Sequence, residues 1–489
     1  MCGVIGIYDN EEVIAKIYNA MLTIQHRGQD SAGILTYDGT YHLKKGNGLV
    51  RDIFDQRNIA RLKGHVGLGH TRYPTVGEGS VEDAQPFWIN YPFGIAGAHN
   101  GNVTNFLDLK KELFEKSHKI INSNCDVEVI LNIFAEYLEK FRTKEFTPEI
   151  VFNAVRFVYK KVKGSYSVVL HIANKGMLAF RDPYGLRPLL MGERKDRLLP
   201  SFAFASESVA LDAMGFKDFK DVEPGSAVFI DRQKNIHTRK LANKPFRPCI
   251  FEYIYFARPD SYLNGINVYK SRVELGRSLV KKIKKSGLAV DVVVPIPDSA
   301  RTSAIEIARL LKIKYREGLV KNRYIGRTFI MPGNVERQKS VSHKLNPIRE
   351  VFEGKNVLLV DDSIVRGNTS RSIIQMVRNA GARRIYFASY SSPLTNPCVY
   401  GIDMQTRDEF IAAGSTPAQI AVKIGADAVI YQDLKEMEQA VRKQNKKINS
   451  FCKACFTGNY PTHDVSRRVL EQIEEERDLN QARELATEN

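Results

Sequence analysis

The chain has 489 residues, a length that allows about three domains or two large ones. Hydrophobic residues make up 43% and charged residues 26%, which is typical of globular proteins and excludes disorder throughout the chain. The 72 lysines and arginines outnumber the 55 acidic side chains, so the formal charge is +17. This excess favours a polyanionic partner, namely nucleic acid, a membrane surface or a phosphorylated substrate; solvated surface charge is the alternative.

The start of the chain and its cysteines indicate the compartment. The first residues, MCGVIGIYDNEE, lack the basic region and the long apolar run of a secretory signal. No apolar stretch approaches the ~18 residues of a membrane span. We therefore predict a cytoplasmic protein with no membrane partner, in which the six cysteines stay reduced.

Short strands alternate with helices in the first half. Apolar runs predict strands over residues 2–8, 31–37, 65–70, 93–99, 165–172, 177–181, 202–206 and 226–230. Apolar positions at helical spacing predict helices over residues 11–25, 104–117, 126–140 and 149–162. Gly and Asp turns separate the strands into hairpin-like pairs, which indicates antiparallel sheets faced by helices.

The pattern of elements changes after residues 242–248, a segment rich in proline and charge. Continuous apolar strands are predicted over residues 291–297, 356–360, 384–390 and 427–431. Helices are predicted over residues 268–285, 300–312 and 416–424, and from Gly367 onward. This alternation is typical of a doubly wound parallel sheet. We predict one domain over residues 1–240, a second over 241–460 and an acidic helical tail over 461–489.

Cys2 is a candidate nucleophile because of its position. It follows Met1 directly, and removal of Met1 would leave an α-amino group beside the thiol. Such an amine titrates near pH 8 and can serve as the general base for the adjacent nucleophile. A buried cysteine with a purely structural role is the commoner case, so the interpretation depends on companion residues.

Three segments supply those companions: residues 25–33 (QHRGQDSAG), 70–75 (HTRYPT) and 99–103 (HNGNV). In order and spacing they resemble the class II glutamine amidotransferases, whose domain is an α+β N-terminal nucleophile hydrolase with four αββα layers. The resemblance implies that Cys2 attacks the carboxamide of glutamine and forms a thioester. It also implies an oxyanion hole made by the Asn100 side chain and the Gly101 backbone N–H. The residues implied in binding glutamine are Arg27, Gly28, Arg72, which would hold the α-carboxylate, and Asp126, which would hold the ammonium group.

Residues 357–370 (VLLVDDSIVRGNTS) combine a strand, two carboxylates and a helix start. Backbone N–H groups and the dipole at such a helix N-terminus suit a phosphate. Asp361 and Asp362 suit ribose hydroxyls and Mg²⁺. An ordinary strand followed by a capped helix is the alternative.

The complete segment resembles the signature of type I phosphoribosyltransferases, which have an α/β fold with a parallel sheet and bind phosphoribosyl pyrophosphate (PRPP). The resemblance implies Mg²⁺ ligands at Ser299, Asp361 and Asp362. The PRPP-binding residues that it implies are Asp361, Asp362, Ser363, Arg366, Gly367, Asn368, Thr369, Ser370, Lys321 and Arg327.

The basic excess is concentrated near this motif. Residues 312–349 contain ten basic and two acidic side chains. The segment from Lys321 to Lys344 resembles the lid that these enzymes close over pyrophosphate, where cations neutralise charge and exclude water. A nucleic-acid-binding loop is the alternative, and we predict no nucleic-acid partner.

Cys452 and Cys455 form a CxxC pair, which suits a redox site, half of a zinc site or part of an iron–sulfur site. Together with Cys249 and Cys398 they match in context the ligands of one branch of amidophosphoribosyltransferases, while another branch lacks a cluster. This resemblance implies a structural [4Fe–4S] cluster, with zinc as the alternative.

Both halves together resemble the amidophosphoribosyltransferase family. The resemblance implies an enzyme that releases ammonia from glutamine and transfers it to C1 of PRPP, giving 5-phosphoribosylamine, glutamate and pyrophosphate. That reaction is the first committed step of de novo purine biosynthesis. Family members are homotetramers inhibited by purine nucleotides, so the same is implied here. The alternatives are a different class II glutamine amidotransferase and a PRPP-sensing regulator.

Overall fold

The computed structural model describes residues 1–73, 80–195, 199–322, 345–402, 404, 410–471 and 474–475. The predicted lid, with Arg327, lies outside the described residues except for Lys321 and Asn322 at its start. The predicted acidic tail lies outside them at residues 472–473 and 476–489. Among the described residues, no helix is both long enough and apolar enough to cross a membrane.

The first half contains thirteen strands and seven α-helices among its described residues. In chain order these are β1 (Gly3–Tyr8), α1 (Ile14–Thr23), β2 (Ser31–Tyr37), β3 (Tyr41–Asn47), α2 (Val50–Ile53), α3 (Gln56–Arg61), β4 (Val66–Arg72), β5 (Phe87–Ile89), β6 (Ile95–Val103), α4 (Phe106–Ser117), α5 (Asp126–Glu139), α6 (Pro148–Lys161), β7 (Gly164–Ile172), β8 (Gly176–Arg181), β9 (Leu190–Arg194), β10 (Ser201–Ala205), α7 (Ser208–Ala213), β11 (Asp218–Asp221), β12 (Ser226–Asp231) and β13 (Ile236–Lys240).

Two antiparallel sheets face each other in this half. One has the order β11-β9-β10-β1-β4-β2-β3 and the other β13-β12-β8-β7-β6-β5. Apolar side chains such as Val4 and Leu68 of the first sheet pack against Val169 and Met177 of the second. Helix α1 covers the outer face of the first sheet, and α5 and α6 cover that of the second. The predicted four-layer αββα architecture is confirmed.

The second half follows with a short π-helical turn (Glu252–Phe256) and then alternates strands with helices. Its elements are β14 (Tyr262–Leu263), β15 (Ile266–Asn267), α8 (Val268–Lys285), β16 (Val292–Pro295), α9 (Arg301–Leu311), β17 (Lys314–Tyr315), β18 (Leu319–Lys321), β19 (Leu345–Pro347), α10 (Arg349–Phe352), β20 (Asn356–Asp361), α11 (Asn368–Asn379), β21 (Arg384–Ser389), α12 (Pro417–Ile424), β22 (Ala428–Tyr431), α13 (Leu434–Arg442) and α14 (Ala454–Thr457).

The central sheet of this half is parallel, with the order β17-β16-β20-β21-β22. Val357–Val360 in the middle strand are fully buried, because helices pack on both faces of the sheet. The carboxyl ends of β16 and β20 therefore meet at one edge, where an open α/β sheet binds its ligand. The predicted parallel-sheet fold is confirmed.

The two halves share apolar packing. One buried cluster includes Ile17 of α1 together with Leu275 of α8 and Ile307 of α9. Burial of such side chains contributes about 1.5–3 kcal/mol each relative to exposure. The helix layer of the first half is thus also a contact layer for the second.

Five strands of the first half have no counterpart in the sequence prediction: β3, β5, β9, β11 and β13. The longest is β3, which pairs with β2 from Ser31↔Asn47 to Tyr37↔Tyr41 at the edge of the seven-stranded sheet. All of its residues are partly or fully exposed, and its sequence YHLKKGN is mostly polar. An edge strand of this kind carries little apolar alternation, so the sequence pattern does not reveal it.

Candidate active sites

Cys2 lies at the start of β1 and is held through its backbone on both sides. Its N–H donates to Oδ1 of Asn100 at 3.1 Å. Its carbonyl accepts a hydrogen bond from Nε of Arg27 at 3.0 Å. The thiol donates a weak hydrogen bond to the carbonyl of Tyr73 at 3.7 Å. Sheet pairing of β1 with β4 brings this corner together, with Gly3 opposite Thr71.

Asn100 presents an unused donor at the same corner. It lies on β6 and is completely buried. Its Oδ1 accepts from Cys2, while Nδ2 has no hydrogen-bond partner among the residues that the structure describes. Since a buried orphan donor is costly, it indicates a site for an acceptor supplied by a ligand. This is what an oxyanion hole requires.

Gly101, next on β6, is required by close packing. A Cβ at this position would lie 2.0 Å from the carbonyl oxygen of Ser165, and φ is +154°. Gly28 is equally constrained, because a Cβ there would lie 2.4 Å from the carbonyl carbon of Arg72. Both glycines therefore allow backbone to approach backbone around Cys2.

Arg72 and Asp126 are both buried near this corner. The Arg72 guanidinium lies 3.5 Å from Oδ2 of Asp83, which orients it. Asp126 begins α5 and accepts a hydrogen bond from the N–H of Val103 at 2.9 Å. Burial alone would raise the pKa of Asp126, but Nε2 of His99, 3.1 Å away, and the Val103 N–H lower it overall. The carboxylate is thus kept charged, as a cation-binding residue must be.

Two polar residues to which the motifs gave no role, Gln85 and His99, support Asp126. The Gln85 side chain accepts a hydrogen bond from the His99 N–H at 2.8 Å, and its Nε2 lies 3.2 Å from Nδ1 of the same ring. Because this contact uses Nδ1 as an acceptor, the ring proton is placed on Nε2, toward Asp126. The HNG motif contains the histidine, but nothing local in the sequence links it to Gln85 or Asp126.

Arg27 occupies a different environment from the one that the resemblance implied. Its guanidinium is completely buried, 2.6 Å from Glu207 and 2.9 Å from Glu252. Together with the Cys2 carbonyl, these contacts direct the side chain into the protein interior. Burial opposes the charge of Glu207, but His26 and Arg27 lower its pKa well below the usual range. The arrangement lets Arg27 position Cys2; it does not direct the guanidinium at a substrate.

The second site lies at the carboxyl end of β20. Asp362 accepts hydrogen bonds from the hydroxyls of Ser299 at 2.5 Å and Ser363 at 2.6 Å. The N–H of Asp362 donates to Oδ1 of Asp361 at 2.9 Å. Burial and the neighbouring Asp362 raise the pKa of Asp361, and burial raises that of Asp362. Two carboxylates held together without a cation are electrostatically costly, which favours a cation between them.

The turn after this pair leads into α11. Gly367, with φ of +81°, precedes the helix, whose first residues Asn368 and Thr369 are exposed while Ser370 is buried. Arg366 is exposed beside them. The N–H groups of the first helical turn have no partner within the helix, so they are available for a phosphate.

Lys321 is the last residue of β18. Its side chain is exposed, and Nζ donates to Oδ2 of Asp298 at 3.2 Å. Asp298 precedes Ser299 in the chain, so Lys321 lies near the serine that contacts Asp362. The structure therefore joins one cation of the predicted lid to the segment that contains Ser299.

The four cysteines of the predicted cluster come from three chain segments and are all buried. Cys249 and Cys452 form an isolated parallel bridge pair through their backbones. Burial raises the pKa of Cys249 to about 11, and burial with neighbouring thiols also raises the pKa of Cys452 and Cys455. Within the described part of the chain, no group of three or more His, Cys, Asp or Glu side chains has the spacing of a metal site.

Two family models match the chain, and their order agrees with the fold. A glutamine amidotransferase domain matches residues 70–213, and a phosphoribosyl transferase domain matches residues 267–392. Fold and sites together define a class of two-domain protein, a glutamine amidotransferase followed by a phosphoribosyltransferase.

Relatives that align over nearly the full chain identify the family. Amidophosphoribosyltransferase of Pasteurella multocida is 47% identical over 98% of this chain and 96% of its own length. That of Escherichia coli is 48% identical over 97% and 95%. The solved glutamine PRPP amidotransferase of B. subtilis, complexed with ADP and GMP, has a TM-score of 0.84 and 37% identity over 95% of this chain and 98% of its own. The chain belongs to the amidophosphoribosyltransferase family, enzymes of the first step of purine biosynthesis.

Proposed function

We propose that this chain releases ammonia from glutamine at Cys2 and transfers it to C1 of PRPP, giving 5-phosphoribosylamine, glutamate and pyrophosphate. The observation that carries the proposal is the unused, buried Nδ2 of Asn100 beside Cys2. It lies in the same molecule as the Asp361–Asp362 pair at the ligand-binding edge of a parallel sheet.

Cys2 acts as the nucleophile after removal of Met1. The freed α-amine takes the thiol proton, and the sulfur attacks the carboxamide carbon of glutamine. Asn100 Nδ2 and the Gly101 N–H donate to the oxygen as it gains charge. The C–N bond then breaks, the amine returns the proton to the leaving nitrogen, and ammonia departs. Water hydrolyses the thioester to glutamate and restores the thiol.

Removal of Met1 is essential to this chemistry. In the full chain Met1 is buried, and burial lowers the pKa of its amine to about 5. Its sulfur also contacts Arg187. While Met1 remains, the Cys2 nitrogen is an amide and cannot accept a proton, so glutamine hydrolysis depends on maturation.

Two charged residues hold the α-carboxylate and the α-ammonium group of glutamine. Arg72 binds the α-carboxylate in the orientation set by Asp83. Asp126 binds the α-ammonium, since its lowered pKa keeps it ionised near neutral pH. Gly28 lets Arg72 approach closely.

PRPP binds at the second site. The N–H groups at the start of α11 hold the 5′-phosphate, with Thr369 and Ser370 adding hydroxyls. Asp361 and Asp362 hold the ribose hydroxyls, and Lys321 lies at the start of the segment proposed to cover pyrophosphate. Carboxylate and hydroxyl oxygens are the donors that Mg²⁺ prefers, so Ser299, Asp361 and Asp362 fit that ion. Mg²⁺, when bound, neutralises the departing pyrophosphate.

The four cysteines would hold a structural [4Fe–4S] cluster. The donor set fits, because Cys249, Cys398, Cys452 and Cys455 are four buried thiols and the backbones of Cys249 and Cys452 pair with each other. Ligation needs thiolates, and the raised pKa values mean that protons leave when the cluster binds. Zinc would use the same donors.

Regulation and assembly follow the family. The solved B. subtilis relative is complexed with ADP and GMP, which supports purine nucleotides as inhibitors. We further propose a homotetramer that works in the cytoplasm, with glutamine and PRPP as substrates and without nucleic acid as a partner.

A glutamine-consumption assay with and without PRPP tests the function. We expect slow hydrolysis alone, stimulation by PRPP, and pyrophosphate release with either glutamine or ammonia. A rate of glutamine hydrolysis that is the same with and without PRPP would favour a different class II amidotransferase. PRPP binding with no turnover of glutamine or ammonia would favour a regulator.

A further inference from the structure

A single stretch of the second half links the two sites. Residues 390–401 leave the end of β21 beside the carboxylate pair. The N–H of Tyr390 donates to the Asp361 carbonyl at 3.1 Å, and the N–H of Ser391 donates to the Asp362 carbonyl at 3.0 Å. The opposite end of this stretch lies on the first half.

We name residues 399–401 the brace because they contact strand β6 directly after its oxyanion residues. The Asn102 side chain donates from Nδ2 to the Val399 carbonyl at 3.0 Å. The Ser165 hydroxyl donates to the Tyr400 carbonyl at 3.0 Å and accepts from the Asn102 N–H at 3.2 Å. Ser165 and Asn102 are opposite each other in the β6–β7 pairing, so both strands are held by the brace.

The brace also touches Gly101 itself. A Cβ on Gly401 would lie 2.9 Å from the Gly101 carbonyl oxygen and 3.2 Å from its carbon, so only glycine permits this approach. Arg187 donates from Nε to the Tyr400 carbonyl at 2.7 Å. All of these residues are buried, so water does not substitute readily for the contacts.

The brace is supported from behind by the second half. The N–H of Cys398 donates to the Met404 carbonyl at 2.7 Å, which closes the loop that contains the brace. The hydroxyl of Tyr400 lies 2.7 Å from that of Thr462, and Tyr460 donates to the Pro397 carbonyl at 2.9 Å. The brace is therefore a fixed support for β6.

We infer that the brace is a positioning element for the oxyanion hole, through which the second half sets the rate of glutamine turnover. The inference rests on the proposed function and adds that residues outside the glutaminase half control its geometry. The donors of an oxyanion hole lie about 2.7–3.1 Å from the oxygen that becomes negatively charged. Displacing such a group by about 1 Å lowers the rate on the order of 10²-fold. The effect belongs to the transition state, so it changes kcat and leaves substrate binding alone.

Two substitutions test the brace from opposite sides. Ser165→Ala removes the hydroxyl that joins Tyr400 to Asn102, and Gly401→Ala forces the brace away from Gly101. For each we expect about a tenfold loss or more in glutaminase kcat, an unchanged KM for glutamine and unchanged ammonia-dependent transfer.

Matched controls separate positioning from general damage. Ser303→Ala removes an equally buried hydroxyl, which donates to the Arg272 carbonyl at 2.7 Å away from the brace. Gly39→Ala introduces a side chain at a φ of +116°, close to the +98° of Gly401, but at a position with no atom within 4 Å. Both controls are expected to keep the wild-type glutaminase kcat.

The outcomes are distinguishable. Wild-type kcat in Ser165→Ala, a rise in KM alone, or an equal loss of ammonia-dependent transfer would each overturn the inference. If Gly401→Ala does not fold, Ser165→Ala decides, because it only deletes one oxygen. A wild-type protein that neither consumes glutamine nor uses ammonia would instead overturn the proposed function.

Discussion

Replacing Glu252 by glutamine should destabilise the contact between the two halves and slow glutamine hydrolysis. Glu252 is buried in the second half and accepts hydrogen bonds from Arg27 at 2.9 and 3.1 Å. It also lies 3.6 Å from Arg187. The substitution keeps the volume, but it removes the charge and turns an amide N–H₂ toward a guanidinium.

The magnitude follows from burial. Removing one partner of a buried ion pair costs about 3–5 kcal/mol, because the other charge is left uncompensated. Arg27 keeps Glu207 at 2.6 Å, so we expect the lower end, about 3 kcal/mol. Glutaminase kcat should fall as well, since Arg27 fixes the Cys2 carbonyl at 3.0 Å.

Denaturant unfolding and a glutaminase assay measure the two effects. The matched control is Glu223→Gln, whose side chain is 76% exposed and 4.0 Å from Lys240, and which should behave like wild type. A Glu252→Gln protein with the unfolding midpoint of this control and full glutaminase kcat would refute the reasoning.

Further predictions concern the individual sites. Cys2→Ala should abolish the use of glutamine but keep ammonia-dependent transfer. Loss of both activities would contradict the proposal that the two reactions occur at separate sites. Burial and Asp362 raise the pKa of Asp361, so its charge opposes folding as the pH rises above the usual carboxyl range. Asp361→Asn should therefore raise the thermal midpoint at neutral pH without Mg²⁺ while abolishing pyrophosphate release. The pKa of Glu207 is lowered in the folded state, so its contribution to stability is present above its unfolded pKa and is lost as the pH falls. In Glu207→Gln, the free energy of unfolding should therefore decrease less as the pH is lowered, as measured by unfolding at a series of acidic pH values. Cys452→Ser should lower iron content and visible absorbance, and equal iron in mutant and wild type would contradict cluster ligation.

Local chemistry explains why much of the fold and of both sites could be predicted. The strand β20, the carboxylates Asp361 and Asp362 and the start of α11 are consecutive, so one short segment contains the scaffold and its ligand-binding groups. The N-terminal site is assembled from segments that are far apart in the sequence. Each of the motifs around Cys2, Arg72 and Asn100 is nevertheless short enough to recognise. Strand β3 was missed because an exposed edge strand needs no apolar alternation.

Sequence alone predicted the two kinds of domain, a candidate nucleophile and a candidate carboxylate pair, because each is carried by short motifs of residue type. Tertiary structure decided which groups hold them in place. Arg27 meets Glu252 across 225 positions, and Asn102 meets Val399 across 297. Such contacts arise from the packing of one half against the other, and burial gives them their strength by excluding water. No local sequence pattern predicts these contacts. A single glutamate or asparagine looks the same in the sequence whether its side chain is exposed to solvent or supports an active site.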